Sequence, residues 1–263
     1  MSSHSLLATH HSANKKPSHK NPKLPLSLRP AMRKNWWKIL SFLLLVYTVI
    51  GGFLMDVPIK DIIYESIRNL YFHVCMWFAM MILFTVSIVY SVKYLSSFNL
   101  RDDIYAKHFA AVGTFLGILG YATGSIWANY TWVTDAGKSL GSVLREPKLI
   151  GAAIALLIYG AYFVLRGSFT DIDKRARISA VYNIFAFAML FPSIWIIPRL
   201  VGSLHPGAPG GDNGNPALNF NDIDMRLRVV FYPAVIGWTL LGVWIATLKI
   251  RLQLIQDKSL LNE

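Results

Sequence analysis

The chain has 263 residues, of which 54% are apolar and only 15% charged, with a formal net charge of +12 and one cysteine. A soluble domain carries roughly 25% charged residues, so this composition, with its recurring apolar runs, excludes a soluble globular protein and indicates a polytopic membrane protein. The lone Cys75 excludes an intramolecular disulfide and a Cys-x-x-Cys redox pair, and the basic excess follows the positive-inside bias of membrane proteins, with no need for a nucleic-acid partner.

Residues 1–35 contain no acidic residue and are rich in Ser, His, Pro and Lys. Such a segment is too polar to pack a core, and a disordered basic cytoplasmic tail is expected. Its histidines, His4, His10, His11 and His19, belong to a solvated basic surface suited to anionic lipid. The tail is long for the n-region of a signal peptide, and no small-residue cleavage site follows the first span. A retained signal-anchor is therefore expected.

Six helical spans follow, at Trp37–Met55, Tyr71–Leu95, His108–Trp127, Leu149–Leu165, Ile178–Ile197 and Val229–Lys249. Each is close to the ~20 residues that cross the hydrocarbon core. The fold class is all-α, a six-transmembrane-helix bundle over residues 36–250, followed by a cytoplasmic C-terminal tail, 251–263. Orientation follows from the basic residues. The tail to Lys38, the loop with Lys93, Arg101 and Lys107, the loop with Arg166, Lys174, Arg175 and Arg177, and the end with Lys249, Arg251 and Lys258 together hold 18 of the 26 Lys and Arg. Both termini are thus expected in the cytoplasm, as an even number of spans requires. Trp36, Trp37, Trp127, Trp132 and Trp195 fall near span boundaries, as interfacial aromatics do.

Three loops face outward. In the first, Asp56 to Leu70, the residues Ile59, Ile62, Ile63 and Ile67 among charges predict a short amphipathic surface helix. The second runs from Ala128 to Lys148. The third, Pro198 to Arg228, carries the turn-rich run Gly207–Gly214, and its length suits a ligand-binding lid.

Two histidines lie on this face. His73 opens span two in Tyr71-Phe72-His73-Val74, and His205 sits in the third loop in Ser203-Leu204-His205-Pro206. Alone, each is an ordinary interfacial or loop histidine. Brought together, two neutral imidazoles hold a haem iron from opposite faces. His108, beside Lys107 at a cytoplasmic helix start, is read as an interfacial residue. Trp127, Tyr130 and Trp132 gather at the outer end of span three, where rings can form a flat apolar platform for a porphyrin.

These features together resemble the haem-handling membrane proteins of cytochrome c maturation, most closely the CcmC type, over roughly residues 37–250. Tyr71-Phe72-His73-Val74 matches the family's Y-x-H-V start of span two. Ser203-Leu204-His205-Pro206 matches its T-L-H-Q/P segment. Gly124-Ser125-Ile126-Trp127-Ala128 with Thr131-Trp132 matches the opening of its tryptophan-rich segment, W-A-x-x-T-W-G-x-W-W-x-W-D. Glu146-Pro147-Lys148-Leu149 with Gly151-Ala152 resembles the start of span four, and Pro192 with Trp195 fits the approach to the His205 loop. After Trp132 the chain departs from the pattern. The family's further tryptophans and closing aspartate are missing, and either Asp135 or Glu146 stands in for that aspartate.

The resemblance implies axial haem ligation by His73 and His205 in a bacterial inner membrane, with the site facing the periplasm. It implies transfer of haem to the periplasmic chaperone CcmE, with the ATP-binding cassette subunits CcmA and CcmB and the small membrane protein CcmD as partners. The chain itself has no Gly-x-x-x-x-Gly-Lys-[Ser/Thr] phosphate loop, so ATP use belongs to a partner. Arg199, Arg226 and Arg228 are candidate partners for haem propionates, and Asp135 or Glu146 for orienting a ligand histidine or contacting a partner protein. The expected role is binding and transport rather than catalysis. The alternatives are a haem lyase-like cytochrome c synthetase subunit, from which the chain differs in having fewer spans and no further histidine pair, and a haem-free scaffold of the same fold. A transporter or channel is disfavoured, since polar residues gather at the outer edge rather than at mid-span.

Overall fold

The first helix carries its large apolar side chains outward and its small and polar ones inward, the reverse of a soluble helix. On α1 (Trp36–Leu54), Ile39, Phe42, Leu43, Ile50 and Phe53 are exposed, whereas Ser41, Thr48, Gly51 and Gly52 are buried. That pattern suits apolar surroundings, where small residues let helices approach and hydroxyls satisfy backbone groups. The computed structural model describes residues 35–59, 63–135, 137, 139–201 and 223–260. The predicted N-terminal tail and His205 lie outside the described residues.

After α1 the chain makes a tight helical turn, Tyr64–Tyr71, and enters α2 (His73–Ser97) and α3 (Leu100–Ala128). A wide turn, Asn129–Asp135, then leads to the short α4 (Leu140–Leu144) and to α5 (Pro147–Gly167). α6 (Ile172–Phe191) ends in a second wide turn, Pro192–Ile196, followed by α7 (Ile197–Leu200) and α8 (Met225–Leu260). Both wide turns have i→i+5 geometry, a form frequent at functional sites. No strand occurs among the described residues. Six helices are long and apolar enough to cross a membrane, and the fold is an all-α polytopic bundle, as expected.

α2 is central. It packs against α3, α6 and α8, while α5 joins α3 and α6 on one side and α1 lies along α8 on the other. The α2–α3 seam is a ladder. Gly113, Gly117, Gly120 and Gly124 on α3 face Phe84, Met80, Trp77 and His73 on α2, each glycine so close that a Cβ would collide with its partner. Below this seam Phe84 stacks on Tyr159 of α5 at 3.7 Å between ring centroids.

Two ends differ most from the expected boundaries. α3 begins at Leu100 rather than His108, because the Asn99 side chain caps it, accepting from Arg101 N at 3.0 Å, with Asp102 and Asp103 in the first turn. α8 runs to Leu260 rather than Lys249. Pro233 inside α8 removes the donor that would bond the Val229 carbonyl, and the Tyr47 hydroxyl of α1 donates to that carbonyl instead, at 3.2 Å. The predicted amphipathic helix of the first loop is the Tyr64–Tyr71 turn, which packs Ile67 and Leu70 against a cluster that includes Tyr71, Cys75, Leu227 and Phe231.

Arg68 on that turn closes the end of α1. Its Nη1 donates to the carbonyls of Gly52, at 2.9 Å, and Met55, at 2.7 Å, and its Nε donates to Glu65 at 2.7 Å. Helix-terminal carbonyls have no partner within the helix, so Arg68→Ala is expected to destabilise the protein by about 1.5–3 kcal/mol, the usual value of hydrogen bonds to a charged group. A thermal unfolding series in detergent checks this; Arg68→Lys, which lacks the fork, is expected to restore only part of the loss.

Candidate functional site

The site lies at the end of the bundle where α1, α3 and α6 finish and α2, α5 and α8 begin, here the His73 end. His73 is the first residue of α2 and is half-buried. Its ring occupies the gap left by Gly124 on α3, and the Trp77 indole, one turn further along α2, meets it edge-on at 6.3 Å. Nδ1 lies 2.7 Å from the Gly120 carbonyl oxygen. A carbonyl only accepts, so Nδ1 carries the hydrogen, and in the neutral ring Nε2 holds the lone pair. Among the described residues Nε2 has no hydrogen-bond partner.

The chemistry of this arrangement is that of a prepared nitrogen ligand. Metal-binding histidines commonly donate their other ring N–H to a backbone carbonyl, which fixes tautomer and orientation and raises basicity. Lys148, in the first turn of α5, is within electrostatic range of the ring. Among the described residues no three His, Cys, Asp or Glu side chains come together to hold a bare metal ion.

The predicted aromatic platform takes a different form. Trp127 and Trp132 meet at 70° with centroids 5.7 Å apart, an edge-to-face corner rather than a flat surface. The i→i+5 turn changes the phase between them, and Trp127 Nε1 is fixed by donating to Ser66, to Oγ at 3.1 Å and to the carbonyl at 3.2 Å. Trp132 is 6% exposed and packs with Ala128 and Val143, whereas Tyr130 is 54% exposed. Thr131, fully buried, donates its hydroxyl to the Trp127 carbonyl. On the far side of α3 a cavity of 310 Å³ opens between Tyr121, Ser125 and Asn129 of this helix end and Leu140, Val143 and Leu149 of α4 and α5.

The remaining candidates are placed as follows. Glu146 is buried at the start of α5, while the side chain of Asp135 lies outside the described residues. Arg226 makes a two-point contact with Asp224, at 3.0 Å for each of Nε and Nη2, and Arg228 Nε donates to the Ile223 carbonyl at 2.6 Å. The Arg199 side chain is outside the described residues, as is His205. His108, read as interfacial, is 7% exposed and bonded to Gln253 of α8. Gly120 and Trp77, which help set the position of His73, went unread in the sequence, and Gly124 was read only as part of the family-like segment, although glycines at i, i+4, i+7 and i+11 are a visible sign of close helix approach. No family model matches the chain, and no curated protein matches it.

Proposed function

We propose that this protein is a haem-handling membrane protein of the CcmC type, which binds haem at the His73 end between His73 and His205 and passes it to a periplasmic chaperone. The observation that supports this reading is the His73 ring itself, pinned by the Gly120 carbonyl, with the Nε2 lone pair unengaged among the described residues. His73 and His205 would hold the haem iron through neutral imidazole nitrogens, which bind it without bringing in negative charge. Lys148 supplies positive charge beside the ring, suited to a propionate. The Trp127–Trp132 corner offers an edge and a face to a porphyrin rim.

In this reading the chain lies in a bacterial inner membrane with the His73 end toward the periplasm and both termini in the cytoplasm, following the basic-residue bias. It acts as a transfer subunit rather than an enzyme. CcmE is the receiver, and CcmA, CcmB and CcmD are the partners.

The test is an absorption spectrum of the detergent-purified protein, oxidised and reduced, beside His73→Ala and His205→Ala. A six-coordinate haem spectrum that weakens in both variants is expected. No haem in the parent after reconstitution, or a spectrum unchanged in both variants, refutes the ligand pair and favours a haem-free scaffold.

A further inference from the structure

The opposite end of the bundle, where α3 and α6 begin and α5 and α8 finish, carries a group of cations around a buried imidazole. Lys107 Nζ lies 3.1 Å from Gln253 Oε1, and His108 Nε2 lies 2.7 Å from the same oxygen. An ammonium only donates, which fixes Oε1 as the acceptor and makes His108 Nε2–H a second donor. His108 Nδ1 is buried and has no hydrogen-bond partner among the described residues. Such an atom is costly to leave unmet.

The charged groups that bear on the ring, Lys107, Lys249 and Arg166, are all cationic. Lys107 is also within electrostatic range of Arg175, with Asp103 and Asp257 as the carboxylates in range. Both oxygens of Asp103 are engaged by Arg166. Asp257 is then the other carboxylate in a cluster that still holds Lys107, Arg175 and Lys249. Beside it, Leu248, Leu252 and Ile255 form an exposed apolar strip on α8.

We propose that this cluster on α3, α6 and α8 binds the phosphate of an anionic phospholipid whose acyl chains lie along Leu248, Leu252 and Ile255. Phosphate oxygens accept from Lys107, Arg175 and Lys249. Free phosphate shares the head chemistry but has nothing to place on the apolar strip, which favours the lipid.

The experiment uses the full chain in nanodiscs of phosphatidylglycerol and phosphatidylcholine in equal parts, with mass spectrometry of the lipid that stays bound after extraction into neutral detergent. Preferential retention of phosphatidylglycerol is expected, weakened about fivefold by each of Lys107→Gln and Lys249→Gln, since a basic residue near a membrane surface contributes about that factor. Lys249 is exposed, so its replacement leaves the packing intact. Equal retention of the two lipids, or unchanged retention in the Lys249 variant, overturns the proposal. So does a thermal shift with inorganic phosphate alone that both variants abolish, which would assign the cluster to a soluble anion.

Discussion

Alanine at Gly124 is expected to weaken haem binding nearly as much as alanine at His73, although Gly124 bears no side chain and touches no iron. A Cβ at Gly124 would stand 2.8 Å from His73 Nδ1 and 3.1 Å from Nε2, and closer still to Cε1. The ring has to leave its gap and give up the bond to the Gly120 carbonyl. Loss of such a supporting contact alone typically lowers metal affinity by about 10–100-fold, and displacement of the ring adds to it. Gly113→Ala is the matched control, since its Cβ would meet the Phe84 ring at 2.8 Å on the same seam, away from the imidazole. Overpacking there is expected to reduce stability by about 1–3 kcal/mol and to leave haem affinity unchanged. Haem titrations of the two variants, each beside a thermal unfolding curve, separate the effects. Equal haem affinity in Gly124→Ala and parent would remove the case for His73 as a prepared ligand.

The largest loss of stability is expected from Asp103→Ala. The Asp103–Arg166 pair joins α3 to α5 with 8% of each side chain exposed, and Arg166 Nη1 lies 2.7 Å from Asp103 Oδ1. Tyr162 is within electrostatic range of the guanidinium. Removing the carboxylate leaves a buried charge without its counter-ion, which costs about 3–5 kcal/mol. Replacing both members with apolar residues of similar size is a different experiment, because it removes the desolvation cost along with the attraction. The double variant Asp103→Leu with Arg166→Met is therefore expected to recover most of the loss, measured as the midpoint of denaturant unfolding in mixed micelles. A double variant as unstable as the single one would show that the pair holds α3 and α5 by more than charge neutralisation.

The six spans were legible because each is a run of apolar residues near membrane thickness, and that signal is local. Their ends were less so. Arg101, Asp102 and Asp103 read as loop by charge, yet they form the capped first turn of α3, with Asp103 turned inward to a partner 63 positions away. Nothing near either residue announces such a pair. His73 was legible as a candidate from its place at a helix start and its family-like surroundings. Its tautomer was not, because that depends on a carbonyl 47 positions away. Trp127 and Trp132 were read as a flat surface from their spacing on a regular helix, and the widened turn between them altered the angle.

The pairing of α1 with α8 has a consequence for biosynthesis. Among the described helices, the first to be made, α1, has as its main partner the last, α8. Until α8 arrives, Ser41 lacks the Gly237 carbonyl to which it donates at 3.3 Å, and Gly51 lacks its contact with Val230. Thr48 is independent of that delay, since its hydroxyl donates to the Leu44 carbonyl of its own helix at 2.7 Å. Throughout elongation α1 is therefore held by lipid contact through its outward apolar side chains. Its docking onto α8 waits for Val230 and Gly237 to be made, so a nascent chain arrested before Gly237 carries a first helix whose inward hydroxyl at Ser41 has yet to meet its acceptor.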